Sequence, residues 1–271
     1  MNKLLKAAEK GDANKVAKFI KKGADVNFSD NVGWTPLFRA AQKGHVEVVK
    51  MLLDAGAEIE KTTSGITPLC WAADSGKTDV VKLLLERGAN VNAIGKKNAP
   101  ALYHAADIGY KDLVKVLLEN GAHVNAQTED EYRWTPLHVA VSSRFSPYGI
   151  TDHEKNRAEV VSLLLDFGAD VSIPEDTNGF TALHLACQVG RSDLVEMLLD
   201  HNAEINAIDN NGMTPLLWAA AEEKMGCVQI LLDRGADANM RHPETNLSPY
   251  EMAMKFNNPL IANLIEKYGG K

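Results

Sequence analysis

The residues with the chemistry to catalyse a reaction or hold a metal are few and scattered. Asp152-His153-Glu154 is the densest group of potential ligands, but contiguous residues on a regular helix cannot all face one ion, and no second cluster supplies more. His138 and His184 each follow a threonine by three residues, in Thr135-Pro136-Leu137-His138 and Thr181-Ala182-Leu183-His184. In isolation they read as ligand candidates, but in this shared setting they read as structural residues. Asp74, Asp107 and Glu222 are acids at comparable places along the chain, and paired carboxylates serve acid–base chemistry when a closed cleft shields them. The three thiols, Cys70, Cys187 and Cys227, are odd in number and widely spaced, which argues against a disulfide framework and against a CxxC metal site. Cys187 and Cys227 are expected to pack as small hydrophobes. The sequence has no G-x-x-x-x-G-K-[ST], no G-x-G-x-x-G after a strand, no G-x-S-x-G and no H-E-x-x-H. The expectation is therefore no catalytic residue, no cofactor and no metal.

What must position these residues is an ordinary water-compatible chain of 271 residues, 45% hydrophobic and 24% charged. Aromatics make up only 6%, so the core must be built from Ala, Leu and Val, which suits closely packed helices better than a sheet sandwich. No run approaches the roughly eighteen apolar residues of a membrane span, and Met1 leads into Lys- and Glu-containing sequence without an apolar signal region. A reducing cytoplasmic or nuclear setting is expected, or the interior of a host cell if the protein is a secreted effector. A net charge of −7 disfavours nucleic acid and anionic membranes as partners. That charge is uneven, because residues 1–28 hold seven lysines against three acids, +4, leaving −11 for the rest. A solvated outer face on a terminal element accounts for the lysines.

The sequence repeats itself. "WTPLFRAAQKGHVEVVKMLLDAGAEIE", "ITPLCWAADSGKTDVVKLLLERGANVN", "APALYHAADIGYKDLVKVLLENGAHVN", "FTALHLACQVGRSDLVEMLLDHNAEIN" and "MTPLLWAAAEEKMGCVQILLDRGADAN" share one template. Its leucine recurs as Leu37, Leu69, Leu102, Leu137, Leu183 and Leu216, at intervals of 32, 33, 35, 46 and 33 residues. Weaker copies flank these: "LLKAAEKGDANKVAKFIKKGADVN" at the start and "LSPYEMAMKFNNPLIANLIEKYGGK" at the end. In each repeat Thr can cap a helix start and Pro fits its first turn. The spacing predicts a first helix from about Pro36 to Gln42, broken by Gly44, and a second over Val46 to Asp54 that Gly56 closes. One such pair cannot bury its apolar face alone, so pairs must stack.

On these residues the sequence resembles the ankyrin repeat family, whose T-P-L-H-x-A signature stands intact at Thr135 to Ala140. The resemblance implies an all-α solenoid of about eight helix-turn-helix units with short β-hairpin fingers, in one domain over 1–271. That domain would comprise an N-terminal capping repeat (1–28), six internal repeats (29–240) and a C-terminal capping repeat (241–271), its atypical polar ends closing a self-contained array. Pro100-Ala101 replaces Thr-Pro, so the fourth repeat is expected to lack the hydroxyl cap. Phe38, Cys70, Tyr103, Leu217 and Glu251 replace the family's His, leaving its polar cross-link between neighbouring fingers expected only at His138 and His184. Asn27, Asn92, Asn125, Asn206 and Asn239 are expected to bond turn backbone.

The one long interval lies in the fifth repeat. Leu137 to Gly168 spans 31 residues where Leu37 to Gly56 spans 19, so twelve residues are added near 144–156, between the two helices. A surface loop there need not disturb stacking. Tyr148 and His153 are its candidates for a second contact, and Asp152-His153-Glu154 could begin the second helix early.

By resemblance, recognition falls on the fingers and first helices, which form a concave surface. The finger position before the Thr slot holds Trp34, Ile66, Ala99, Trp134, Phe180, Met213 and Leu247, an apolar series. The first helices add Arg39, Trp71, His104 and Trp218 two residues after the template Leu, and Lys43, Asp74, Asp107, Gln188 and Glu222 at their ends. Tyr103 and Tyr132 complete the partner-binding set. Trp71 and Trp218 could equally pack between repeats, while Trp34, Tyr132 and Trp134 are expected to be accessible. The leading expectation is a monomeric, non-enzymatic scaffold or adaptor that binds a protein or peptide, with the acids recognising basic or polar groups. The alternatives are a small-molecule or nucleotide sensor using Arg39, Lys43 and Trp71, and a host-directed effector or targeting module.

Overall fold

A computed structural model describes residues 2–95, 98–142 and 154–271. Tyr148, His153 and residues 143–153 of the insertion lie outside the described residues. The described residues hold sixteen helices and divide into two compact halves, Met1–Asp130 and Glu131–Lys271.

In the first half the repeats contribute α1 (Lys3–Glu9) with α2 (Ala13–Lys21), α3 (Pro36–Lys43) with α4 (Val46–Asp54), α5 (Pro68–Asp74) with α6 (Thr78–Glu86), and α7 (Ala101–Ile108) with α8 (Lys111–Glu119). The first helices α1, α3, α5 and α7 pack in one layer and the second helices α2, α4, α6 and α8 in another. The core is the template: Leu37, Leu69 and Leu102 with the alanine pairs Ala40-Ala41, Ala72-Ala73 and Ala105-Ala106, all buried. The second half repeats the scheme with α9 (Pro136–Val141), α11 (Ala182–Val189), α13 (Pro215–Ala221) and α15 (Pro249–Lys255) over α10 (Glu154–Asp166), α12 (Ser192–Asp200), α14 (Met225–Asp233) and α16 (Pro259–Lys267). Each half is thus a short all-α solenoid of four helix hairpins.

Local chemistry fixes the boundaries. The hydroxyls of Thr35, Thr67 and Thr214 accept from the backbone N–H three residues on, and Pro occupies the first turn behind each. Pro100 offers no side-chain cap to α7, as expected. Gly44 ends α3 at φ +82°, and a Cβ there would stand 2.9 Å from Lys77 Cδ, so the turn of one repeat is roofed by the side chain of the next.

One expectation is corrected. The fingers carry no strand among the described residues, only isolated bridges at Thr63–Ile66 and Ile94–Pro100. Each finger is a tight turn closed by one or two backbone bonds, such as Asp30 N to Trp34 O at 3.2 Å and Asp209 N to Met213 O at 3.0 Å, too few to build a ladder. The early start offered for the second helix of the fifth repeat is found: α10 starts at Glu154 and runs 13 residues where α4 runs nine. Its Arg157 is buried and donates to the carbonyls of Val139 (3.3 Å) and Ala140 (3.4 Å), at the end of α9 where most other repeats have a glycine turn. The last repeat exposes the apolar Met254, Phe256 and Leu260 among its polar surface residues.

Candidate partner-binding surfaces

In the first half the candidate residues sit on the finger of the second repeat and along α3, α5 and α7. Asp30 Oδ1 accepts from the N–H groups of Val32 and Trp34, both at 3.0 Å, and this side-chain turn sets the half-buried Trp34. Arg39 lies over the Trp34 ring with its guanidinium carbon 3.0 Å from the centroid, donates to Gln42 Oε1 at 3.0 Å and stands 3.7 Å from Glu9 Oε1. Burial lowers the pKa of Arg39, while Glu9 and Asp30 oppose that effect. Trp71 packs on Phe38 at 5.5 Å between ring centroids. Lys43 is exposed at the end of α3.

Farther along, Asp74 Oδ1 lies 3.8 Å from His104 Nδ1, both side chains largely covered. His104, expected on the open helix face, is buried instead. Tyr103 meets the His104 ring edge-on at 5.7 Å. Burial, then the charges of Asp107 and Asp130, push the Tyr103 phenol pKa well up, so it remains a hydrogen-bond donor. Asp74, His104, Tyr103 and Asp107 form a polar row across two adjacent repeats.

In the second half Tyr132 is 43% exposed, and its carbonyl accepts from Asp176 N at 3.1 Å. Trp134 is half-buried, its ring centroid 6.2 Å from that of His138. Phe180 departs from expectation: at 8% exposure it stacks on His184 (6.0 Å) and meets Trp218 edge-on (5.4 Å), so it is a packing residue. Met213 is likewise buried, against Leu217 and Met252. Trp218 Nε1 donates to Asp209 Oδ2 at 2.7 Å, and Asp209 Oδ1 accepts from Asn211 and Met213 N–H groups. Glu222 is the half-buried C-cap of α13.

His138 and His184 take the structural role. Thr135 N donates to His138 Nδ1 at 3.2 Å, which leaves Nε2–H to donate to Phe180 O in the next repeat at 3.1 Å. His184 repeats this with Thr181 N at 3.2 Å and Ala207 O at 3.1 Å. Burial pulls the His138 pKa down to about 4 and lowers that of His184. The cross-link also survives at Cys70, whose thiol donates to Ala93 O at 3.0 Å; burial raises its pKa to about 11. Cys187 and Cys227 are buried free thiols. The asparagines bond turn backbone of the following repeat: Asn27 Nδ2 donates to Gly56 O at 3.1 Å and Asn92 Nδ2 to Gly121 O at 3.2 Å.

The residues that sequence reasoning missed are the finger acids Asp30, Glu175 and Asp209. Their signal was in "DNVG", "EDTNG" and "DNNG", where an acid precedes the glycine by three or four residues and its carboxylate collects the backbone donors of the turn.

Comparison with known proteins places this geometry. The chain is 27% identical to the human ASB11 ankyrin repeat domain, with a TM-score of 0.71 over 88% of this chain and 99% of that one. It is 48% identical over 56 residues to the 2-5A-dependent ribonuclease of Mus musculus and 42% identical over 63 residues to ankyrin repeat domain-containing protein 40 of Homo sapiens. These stretches cover 20% and 23% of this chain, and the chain spans only 8% and 17% of the length of those relatives. The family model for ankyrin repeats (3 copies) matches residues 4–95, 91–148 and 152–242, so the chain belongs to the ankyrin repeat family.

Proposed function

We propose that the chain is a non-enzymatic adaptor that binds a protein or peptide segment on its finger and first-helix surfaces, in a reducing cytoplasmic or nuclear compartment. Ankyrin repeats generally mediate protein–protein interaction. The observation that carries the reading is the fixed presentation of partly open rings. Trp34 is held by Asp30 and Arg39, Trp134 lies against His138, and Tyr132 is the most open of the three. Rigid aromatics of this kind dominate interface energetics, because little side-chain entropy is lost when they are covered. In the first half, the polar row of Asp74, His104, Tyr103 and Asp107 along α5 and α7 adds to a surface suited to a polar or basic segment. A nucleotide sensor at Arg39 and Trp71 gains no support, since that guanidinium already lies on Trp34 and faces Glu9.

The test is affinity capture from the native host followed by titration of the captured partner against Trp34→Ala, Tyr132→Ala and Trp134→Ala. At least one variant is expected to lose about 2 kcal/mol, roughly thirtyfold in affinity. Undiminished affinity in all three, with helical circular dichroism intact, would overturn these surfaces.

A further inference from the structure

Arg39 is held in place without being saturated. Its side chain is only 11% exposed. Nη1 donates to Gln42 Oε1 at 3.0 Å and stands 3.7 Å from Glu9 Oε1, while the guanidinium carbon lies over the Trp34 ring. The Nε–H, itself buried, and Nη2 have no acceptor among the described residues. Buried N–H groups in folded proteins are nearly all bonded, so an idle one on a charged group calls for an explanation.

The idle edge has a definite chemistry. Nε–H and one N–H of Nη2 lie parallel, and together they grip a carboxylate through two charge-assisted bonds. Arg191 makes this pairing inside the chain, its Nε and Nη2 standing 2.9 and 2.7 Å from the two carboxylate oxygens of Asp193. The surroundings of Arg39 share its sign. Four residues after the helix cap, the first repeat has Lys6 where the second has Arg39, and four residues farther on the two repeats have Lys10 and Lys43. All three lysines are exposed. Neither slot holds Lys or Arg in any later repeat. Residues 3–10 and 36–43 carry five cations against the single acid Glu9.

We propose that Arg39 receives a carboxylate from the partner, so that the bound segment carries an aspartate or glutamate over α1 and α3 with the Trp34 ring beside it. The inference rests on the adaptor reading and adds the charge that the ligand must bring to this end of the surface. Glu9 does not fill the role, since 3.7 Å is beyond hydrogen-bond range and it approaches Nη1, the wrong edge. The fork is met in full when a ligand draws the guanidinium outward and uncovers Nε. A net charge of −7 repels an acidic segment from the chain at large, so the attraction is confined to the lysine-rich helices. Asp74 and Asp107 reverse the sign on α5 and α7, so a segment lying along the first helices is acidic at one end only.

Random peptides displayed on phage and selected on the full chain test it. The selected peptides are expected to share an Asp or Glu at one position. Replacing that residue by Ala in the synthetic peptide is expected to weaken binding, read by fluorescence anisotropy, about tenfold or more. On Arg39→Gln the same replacement is expected to change affinity less than about twofold, which couples the two residues. Lys43→Glu, at an exposed position, is expected to weaken the acidic peptide about threefold at low salt and less at high salt. Selected peptides without a shared acid overturn the proposal, as does an acid whose replacement weakens binding equally on wild type and Arg39→Gln. Both results leave the adaptor reading standing, because the peptides still bind. If Arg39→Gln loses its helical circular dichroism, undiminished binding of the acidic peptide by Lys43→Glu overturns the proposal in its place. A wild type that selects no peptide overturns the adaptor reading and this inference together.

Discussion

At the scale of single residues, the two histidines that in isolation read as ligand candidates hold turns. His138 is neutral because Nδ1 must accept from Thr135 N–H while Nε2–H donates across to Phe180, and burial lowers its pKa to about 4. An unfolded histidine titrates near 6.5, so between these values the unfolded chain binds a proton that the folded chain refuses, and stability falls as pH falls through that window. From pH 7 to pH 5 this group is expected to cost about 2 kcal/mol, read as a lower urea midpoint. His138→Gln should show a drop smaller by that amount, with a residual slope from His184, whose pKa is lowered in the same direction. An equal drop in wild type and variant would refute the assignment. The role of His138 was legible because Thr-Pro-Leu-His repeats its spacing at His184. The burial of Phe180 was not legible. It shares its slot with Trp34 and Trp134, but packs on His184 of its own repeat and Trp218 of the next.

At the scale of elements, helix boundaries were legible wherever a local rule set them. Thr-Pro starts and glycine stops placed α4 at Val46–Asp54, as found, and α3 within one residue of its observed end. The fingers were not legible as turns, because the resemblance implied hairpins while the strand-like segments are too short for more than a bond or two. The fifth repeat shows what replaces a local rule once it is lost. There α9 stops after six residues without a glycine, and the Arg157 guanidinium from α10 supplies donors to Val139 and Ala140 carbonyls. Arg157→Met keeps most of the apolar stem and removes the donors. It is expected to destabilise by roughly 1–3 kcal/mol, the cost of leaving buried carbonyls unsatisfied. Urea unfolding checks this, and an unchanged midpoint would mean that other groups close the end of α9.

At the scale of the whole molecule, the repeats were the most legible feature, since a leucine returning every 32 to 35 residues, save once at 46, allows little but stacked hairpins. The outer surface of the last repeat was not, because Leu260 reads as core until the neighbouring helices leave it exposed. If each hairpin is too thin to hide its apolar side but three or more suffice together, then four hairpins are enough, and each half meets that condition. Leu37, Leu52, Leu69, Leu84 and Leu102 are buried in the first half, and Leu164, Leu183, Leu198, Leu216 and Leu231 in the second. Residues 1–130 and 131–271 expressed separately are therefore each expected to give a helical circular dichroism spectrum and a cooperative thermal transition. A fragment that melts without cooperativity would show that four of these hairpins do not make a core, and the division at Asp130 would then describe contacts and not folding.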